Sequence, residues 1–217
     1  MKIPEIIIYD FDGVICDSVN IKTEAFVELY LSYGKEVQKT VKEYHIANGG
    51  ISRHEKIRYF QETLLGQSTN QEQINALAYQ FSLLVKQKVI ASNYIPGVID
   101  FLKANEGRKQ FICTGTPQNE IEDIVEQKGI KSFFYDIYGS PRTKVEIIQI
   151  IMEKYSAHPS DCIFFGDALT DYEAAKACSI PFIGISNENT QFPNKTYLIN
   201  NFKQFNGVLW SLQKKKL

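Results

Sequence analysis

Cysteine is scarce in this chain, with four among 217 residues, and no two of them form a CxxC pair or a zinc-ligand spacing. No secretory signal precedes the first of them, Cys16. These absences argue against a disulfide scaffold and against a zinc site built on paired cysteines. We therefore expect reduced thiols that pack as small core residues in a cytoplasmic protein, and not catalytic nucleophiles.

A strong charge of either sign is also missing, since 24 Lys and Arg stand against 25 Asp and Glu, for a net charge of -1. This excludes a global basic field for nucleic acid. Lys214–Lys216 is interpreted as a solvated tail, because no lipidation motif or apolar helix accompanies it. The apolar run after Pro4 is far too short to span a membrane. We expect a monomer or a weak homodimer that binds neither nucleic acid nor a membrane.

The chain does contain short apolar runs that alternate with longer helical stretches, which is typical of an α/β protein with a parallel sheet. Its composition, 44% hydrophobic and 23% charged, is that of a globular protein. The predicted strands cover residues 6–9, 111–113, 133–138, 162–165, 182–185 and 197–199.

Between Ser18 and about Asn93 the pattern changes to amphipathic windows with few β-branched runs, which favours helices only. Tyr94–Gly97 marks the return to the sheet. We predict a doubly wound, Rossmann-like parallel-sheet core formed by residues 1–17 and 93–217. An all-helical cap domain, residues 18–92, is inserted into it.

Capping residues predict where four helices begin. Thr116-Pro117 and Ser140-Pro141 each place an N-cap before a proline at the first helical position. Thr170–Glu173 and Ser52–Glu55 each fit a capping box, in which two side chains satisfy the free amides of the first turn.

Chemically suggestive side chains follow the predicted strands, where open parallel sheets bind ligands. A carboxylate such as Asp10 can attack phosphorus, and a second can move the proton of the leaving group. Two carboxylates can also hold Mg²⁺ together with phosphate oxygens. Hydroxyl and ammonium groups neutralise the charge of the transferring phosphoryl group. The residues of this set are Asp10, Asp12, Thr114, Lys144, Asp167 and Asp171.

The order of these residues resembles the four motifs of the haloacid dehalogenase superfamily. The motifs are Asp10-Phe11-Asp12-Gly13-Val14, Thr114 after an apolar strand, Lys144, and Gly166-Asp167-x-x-x-Asp171. Asp17-Ser18 and Ile95-Pro96-Gly97 further resemble the β-phosphoglucomutase and phosphoglycolate phosphatase branch. The resemblance runs from Lys2 to about Ile185.

The resemblance implies a catalytic role for each motif. Asp10 would be the nucleophile and Asp12 the general acid and base, with Thr114 and Lys144 as the other catalytic residues. The backbone amides of Phe11 and Gly115 would face the phosphate.

It also implies a magnesium cofactor. Asp10, Asp167 and the backbone carbonyl of Asp12 would bind the ion, and Asp171 would be a supporting acid close to it. The presence of Asp12 favours phosphate chemistry over dehalogenation, because the dehalogenating members lack that second acid.

Three positions depart from the pattern. Lys22 stands where the mutase branch usually has histidine, which disfavours a mutase. Lys144 is not followed by the usual proline, so Arg142 is the alternative if the register slips. Thr116 adds a second hydroxyl, which we interpret as an N-cap and not as a ligand.

Asn48–His54 resembles the substrate-specificity loop of the family's small helical cap, although a simple connecting turn fits it equally well. Arg53 is the expected substrate contact in this loop, since a guanidinium suits a second anionic group. His45 and His158 are interpreted as ordinary surface residues.

The leading hypothesis is a phosphatase, a phosphoric monoester hydrolase that removes phosphate from a sugar phosphate or a sugar-acid phosphate such as phosphoglycolate. One alternative is a phosphomutase that returns the phosphate to a sugar. Another is a silent protein that only binds a phosphorylated metabolite, and the intact acids argue against it.

Overall fold

The structure is a computed structural model that describes residues 4–188 and 190–205. Within these residues six parallel strands form one sheet in the order β3-β2-β1-β4-β5-β6. They are β1 (Ile6–Tyr9), β2 (Lys109–Pro117), β3 (Asp136–Ser140), β4 (Cys162–Gly166), β5 (Phe182–Ile185) and β6 (Tyr197–Ile199). The predicted doubly wound α/β architecture is thus confirmed. The predicted tail at Lys214–Lys216 and the chain start at Met1–Ile3 lie outside the described residues.

The first four helices after β1 form a segment that we call the helical insertion. They are α1 (Val19–Leu29), α2 (Lys35–Ala47), α3 (Arg53–Tyr59), which continues into a π-helical turn, and α4 (Gln71–Ala91). The remaining helices alternate with the later strands as α5 (Val98–Ala104), α6 (Gln118–Gln127), α7 (Lys144–Lys154) and α8 (Leu169–Ala177). An insertion made only of helices agrees with the predicted cap, while the exact domain limits stay a prediction. No helix in the described part of the chain is long and apolar enough to cross a membrane.

The sheet is covered on both faces, which explains why its central strands are continuous apolar runs. Side chains of a strand alternate between the two faces. Ile7 and Tyr9 of β1 pack in one core cluster with α5 and α6, whereas Ile6 and Ile8 pack in the other with α7 and α8. Three of the four cysteines, Cys16, Cys113 and Cys162, are buried in these cores, as the composition predicts.

The predicted helix starts are only partly right. The hydroxyl of Ser52 accepts a hydrogen bond from the amide of Glu55, as predicted. The other three predictions are wrong by one to three residues. The N-cap of α6 is Pro117, that of α7 is Thr143, and that of α8 is Ala168. The predicted strand over residues 133–138 begins later, at Asp136, since Lys131–Phe133 forms a 3₁₀ turn.

Strand register brings the ends of three strands together. Tyr9 of β1 pairs with Ile112 of β2 on one side and with Phe165 of β4 on the other. All three strands are parallel, so the residues after them leave the sheet at the same edge. This edge carries the predicted site.

Candidate active site

Lys144 links two of the predicted acids. Its Nζ lies 3.1 Å from Oδ2 of Asp10 and also donates a hydrogen bond to Asp171. All three side chains are buried. Burial favours the neutral amine, yet the two carboxylates outweigh it and raise the pKa of Lys144 well above its ordinary value. The alternative in which Arg142 takes this place is wrong, because Arg142 is exposed to solvent.

Lys144 reaches the site because it is the first residue of α7. The side chain of Thr143 accepts a hydrogen bond from the backbone amide of Glu146. In return, the carboxylate of Glu146 accepts one from the backbone amide of Thr143. This capping box, and not the predicted Ser140-Pro141 start, sets the beginning of the helix.

Three carboxylates form a compact buried cluster at this edge. One oxygen each of Asp10, Asp167 and Asp171 can be chosen so that all lie within 4.8 Å of one another. Burial and the neighbouring carboxylates raise the pKa of Asp167 well above its ordinary range. Buried acids are costly unless they are paired or bind a metal, and Lys144 supplies only one positive charge for three of them. The donor set therefore fits a divalent cation with oxygen ligands, such as Mg²⁺.

Gly13 makes room for this cluster. Its φ is +76°, a left-handed conformation that side chains disfavour, and a Cβ there would lie 2.2 Å from Oδ2 of Asp167. The first motif therefore requires glycine at this position for both the turn and the space.

Asp12 is held by three donors. Its carboxylate accepts hydrogen bonds from Ser18 Oγ at 2.6 Å and Thr116 Oγ1 at 3.2 Å, and it forms an ion pair with Lys22. Burial opposes ionisation, but Lys22 and the two hydroxyls together lower the pKa of Asp12 below its ordinary value. Thr116 is thus a partner of Asp12, and its interpretation as an N-cap is wrong.

The remaining predicted residues of the sheet edge also lie at the site. Thr114 is buried, and its Oγ1 accepts the amide of Thr116 at 3.3 Å. The amide of Phe11 donates to Oδ1 of Asp10 at 2.7 Å. Gly115 lines the cavity in front of Asp10. All of these residues therefore lie close to the predicted nucleophile.

The helical insertion and the sheet edge together line the cavity, whose volume is about 90 Å³. Asp10, Asp12 and Asp167 line one side, and the insertion contributes Gly50, Arg53 and Lys56. Thr170 Oγ1 of α8 donates to the carbonyl oxygen of Gly49 at 2.9 Å, which ties the insertion to the core beside the cavity.

Arg53 lines the cavity but is already neutralised. Its guanidinium makes two hydrogen bonds to the carboxylate of Glu120 in α6, at 2.8 and 2.5 Å. Ser82 of α4 bonds to both partners, and the guanidinium lies 4.8 Å from the centre of the Phe81 ring. The predicted contact between Arg53 and a substrate stays a prediction.

Two cavity residues of the insertion, His45 and Lys56, were not predicted as site residues from the sequence. His45 lines the cavity and is only 8% exposed, so its interpretation as a surface residue is wrong, whereas His158 is exposed as expected. Lys56 Nζ lies 2.9 Å from Nδ1 of His45. Lys56 could have been found from its spacing, because it follows the candidate Arg53 by three residues and residues three apart share a helix face.

Comparisons with known proteins agree with this geometry. Residues 7–185 match the family model described as haloacid dehalogenase-like hydrolase. The chain is 24% identical to a phosphoglycolate phosphatase of Pseudomonas putida, over 85% of this chain and 70% of the relative. It is also 24% identical to a phosphorylated carbohydrates phosphatase of Thermotoga maritima, over 81% and 82% of the two chains.

A solved structure of β-phosphoglucomutase from Clostridium difficile superposes with a TM-score of 0.79. The match covers 98% of each chain at 21% identity. At this identity the likeness concerns the fold alone.

Proposed function

Because the chain belongs to the haloacid dehalogenase-like hydrolase family, we propose that it is a magnesium-dependent phosphatase acting on a small phosphorylated metabolite. One observation carries the proposal. The carboxylate of Asp10 is buried at the cavity, held by Lys144, with the carboxylate of Asp12 lining the same cavity. Nucleophile, charge-neutralising ammonium and proton carrier are the groups that stepwise phosphoryl transfer needs.

In the first step an oxygen of Asp10 bonds to phosphorus while the bond from phosphorus to the leaving oxygen breaks. Asp12, when protonated, gives its proton to that oxygen, so the product leaves as an alcohol. In the second step Asp12 takes a proton from water, whose oxygen attacks phosphorus and releases Asp10 and inorganic phosphate. The hydroxyl of Thr114 and the ammonium of Lys144 stabilise the equatorial oxygens in both steps.

Asp10, Asp167 and the backbone carbonyl of Asp12 would hold Mg²⁺, with Asp171 as a supporting acid. When bound, the ion supplies charge neutralisation for the phosphoryl oxygens and fixes their orientation. Asp171 also orients Lys144 through their hydrogen bond. It therefore serves the site with or without a direct bond to the metal.

The helical insertion, residues 18–92, would act as a cap that excludes water while Asp10 is phosphorylated and then opens for release. Gly49 and Gly50 line the cavity on the cap side. Gly50 has a φ of +80°, and a Cβ there would lie 3.2 Å from Nζ of Lys144. We propose that Arg53 positions this loop through Glu120 and contacts the part of the substrate that is not transferred.

The substrate is proposed to be a small phosphorylated sugar or sugar acid. The cavity of about 90 Å³ between the helical insertion and the sheet edge supports a small molecule. The names of the two relatives, which mention phosphoglycolate and phosphorylated carbohydrates, support the same chemical range.

A panel assay of phosphate release tests the function. We expect phosphate from small monoesters with Mg²⁺, none with a chelator, and none from Asp10→Asn, since the amide cannot attack phosphorus. Asp100→Asn, on the exposed side of α5, is the matched control and should retain activity. Beryllium fluoride should bind the wild type at Asp10 and mimic its phosphorylated form. Normal turnover by Asp10→Asn would contradict the assignment, and efficient interconversion of sugar 1- and 6-phosphates with little free phosphate would indicate a mutase.

A further inference from the structure

The geometry points to a second anion-binding group in the cavity: we propose that Lys56, held by His45, binds a carboxylate on the part of the substrate that is not transferred. Phosphate esters of small hydroxy acids are then the preferred substrate class. The inference rests on the proposed phosphatase function and narrows its substrate.

Lys56 is a buried cation without an acidic partner. Its side chain is 2% exposed and lines the cavity. Among residues 4–188 and 190–205, no carboxylate forms an ion pair with it. Burying an ammonium without a counter-charge is costly, so such groups are rare outside functional sites.

The other cations of the site are already neutralised by the protein. Lys22 pairs with Asp12, Arg53 pairs with Glu120, and Lys144 lies between two acids. A substrate anion would have to compete with a carboxylate for each of them. Lys56 is the cation at the cavity that a ligand can neutralise without breaking an ion pair among the described residues.

His45 and Phe26 hold the ammonium in place. Burial and the charges of Lys56 and Lys22 lower the pKa of His45 well below its ordinary value, so its ring is neutral. Nδ1 can then accept a hydrogen bond from the ammonium at 2.9 Å, which leaves two further N–H donors for a ligand. The Phe26 ring centre lies 4.9 Å from that of His45 and 5.8 Å from Nζ of Lys56, which restricts both side chains.

The charge balance favours a carboxylate over a second phosphate. Burial and the positive charges of Lys22 and Lys144 lower the pKa of Lys56 to about 7, and a bound anion would restore its charge. One ammonium matches one negative charge, whereas a phosphate carries nearly two.

Two pairs of esters isolate the carboxylate. The first pair is 2-phosphoglycolate and 2-hydroxyethyl phosphate, and the second is 3-phosphoglycerate and glycerol 3-phosphate. In each pair the second ester has a hydroxymethyl group where the first has a carboxylate. Phosphate release is measured for wild type, Lys56→Met and Lys39→Met. Lys39 is an exposed residue of α2, so its variant makes the same charge change on the same insertion away from the cavity.

We expect Lys56→Met to lower kcat/KM for at least one acid by about ten- to a hundredfold, as for loss of a charge-assisted contact. The value for the ester without the carboxylate should change by less than about threefold, since the proposal places Lys56 at the part of the substrate that is not transferred. Lys39→Met should behave like wild type on all four esters. Lys56→Gln, which keeps a polar group for His45, repeats the measurement if the Met variant does not fold.

Binding separates this inference from the proposed function. Calorimetric titration of the same esters into Asp10→Asn, with and without Lys56→Met, measures the preference for the acids without turnover. If wild type releases no phosphate but the preference for the acid is present and depends on Lys56, the phosphatase proposal fails and the carboxylate site stands. If wild type shows no preference for either acid, or Lys56→Met lowers activity and binding equally for both members of each pair, the inference is overturned while the phosphatase proposal is untouched.

Discussion

Arg53 and Glu120 are 67 residues apart in the chain, yet they form a buried ion pair that joins α3 of the helical insertion to α6 of the sheet region. Each guanidinium nitrogen of the pair meets a different carboxylate oxygen, a geometry that is specific to arginine. The contact therefore fixes the insertion relative to the sheet region, beside the cavity that Arg53 lines.

The first prediction concerns the stability of this pair. Glu120→Ala leaves a buried guanidinium without its partner and should lower the free energy of unfolding by about 3–5 kcal/mol. The double variant Arg53→Ala/Glu120→Ala should lose less than the sum of the single variants, because neither charge is then left alone. Denaturant unfolding measures both. Glu126→Ala is the control, since its pair with Lys131 is exposed, screened by solvent and should contribute little to stability. Strict additivity at Arg53 and Glu120 would show that the pair is not coupled.

The second prediction concerns the metal. The crowded carboxylates raise the pKa of Asp167, so Asp167→Asn should raise the melting temperature of the protein in a chelator. The same change should abolish the stabilisation that Mg²⁺ gives to the wild type, because a ligand is lost. Melting curves with Mg²⁺ and with a chelator measure this without reference to activity. Asp100→Asn should respond to Mg²⁺ like the wild type. An undiminished Mg²⁺ response of Asp167→Asn would contradict the metal assignment.

The third prediction concerns the proton carrier. Lys22 lowers the pKa of Asp12, so Lys22→Met removes that effect and the pKa of Asp12 rises. In the proposed mechanism the first step needs Asp12 protonated, so kcat/KM should fall as pH rises through its pKa. The alkaline limb of the kcat/KM profile should therefore move to higher pH in Lys22→Met. Lys39→Met should leave the profile in place. If the alkaline limb of Lys22→Met lies at the same pH as that of the wild type, the limb does not reflect the ionisation of Asp12.

The fourth prediction concerns Lys56 and stability. The pKa of Lys56 is about 7 in the folded protein against an ordinary value of 10.5, so the unfolded chain binds more protons between these values. The contribution of Lys56 to stability therefore rises with pH across that window and is least favourable below about pH 7. Lys56→Met should be more stable than the wild type near pH 7, and the difference should shrink towards pH 10. Denaturant unfolding across this range measures the effect. If the stability difference between Lys56→Met and the wild type is the same at pH 7 and at pH 10, the pKa of Lys56 is not lowered in the folded protein.

Several elements could be predicted from the sequence because their signals are local. β1 and β5 have the predicted limits, since a short apolar run between residues that interrupt it specifies a buried strand. The cluster of Asp10, Asp167 and Asp171 was also predictable, since residues that follow parallel strands meet at one edge of the sheet. The family and the fold followed from these residues and are confirmed.

Helix starts were less predictable because several residues in a row can cap. Ser140 and Thr170 are good N-cap residues in isolation. The starts of α7 and α8 are set instead by the ends of the preceding strands and by packing against the core. In α8 the carboxylate of Asp171 accepts the amide of Ala168 at 3.0 Å, which sets the start two residues before Thr170. Tertiary context overrides local capping preference in such cases.

The sequence alone determined which acids, hydroxyl and ammonium meet at the edge of the sheet, because their order along the strands and turns is a one-dimensional pattern. Only the tertiary structure decided how the charges are shared, since a charge's partner is set by distance in space. Thr116 donates a hydrogen bond to Asp12, 104 residues away in the chain, and Arg53 forms an ion pair with Glu120. Lys56 and His45 are only 11 residues apart, but they lie on different helices, and their contact depends on how α2 packs beside α3. The buried ammonium that this packing leaves without an acid is therefore a property of the fold that no local pattern could predict.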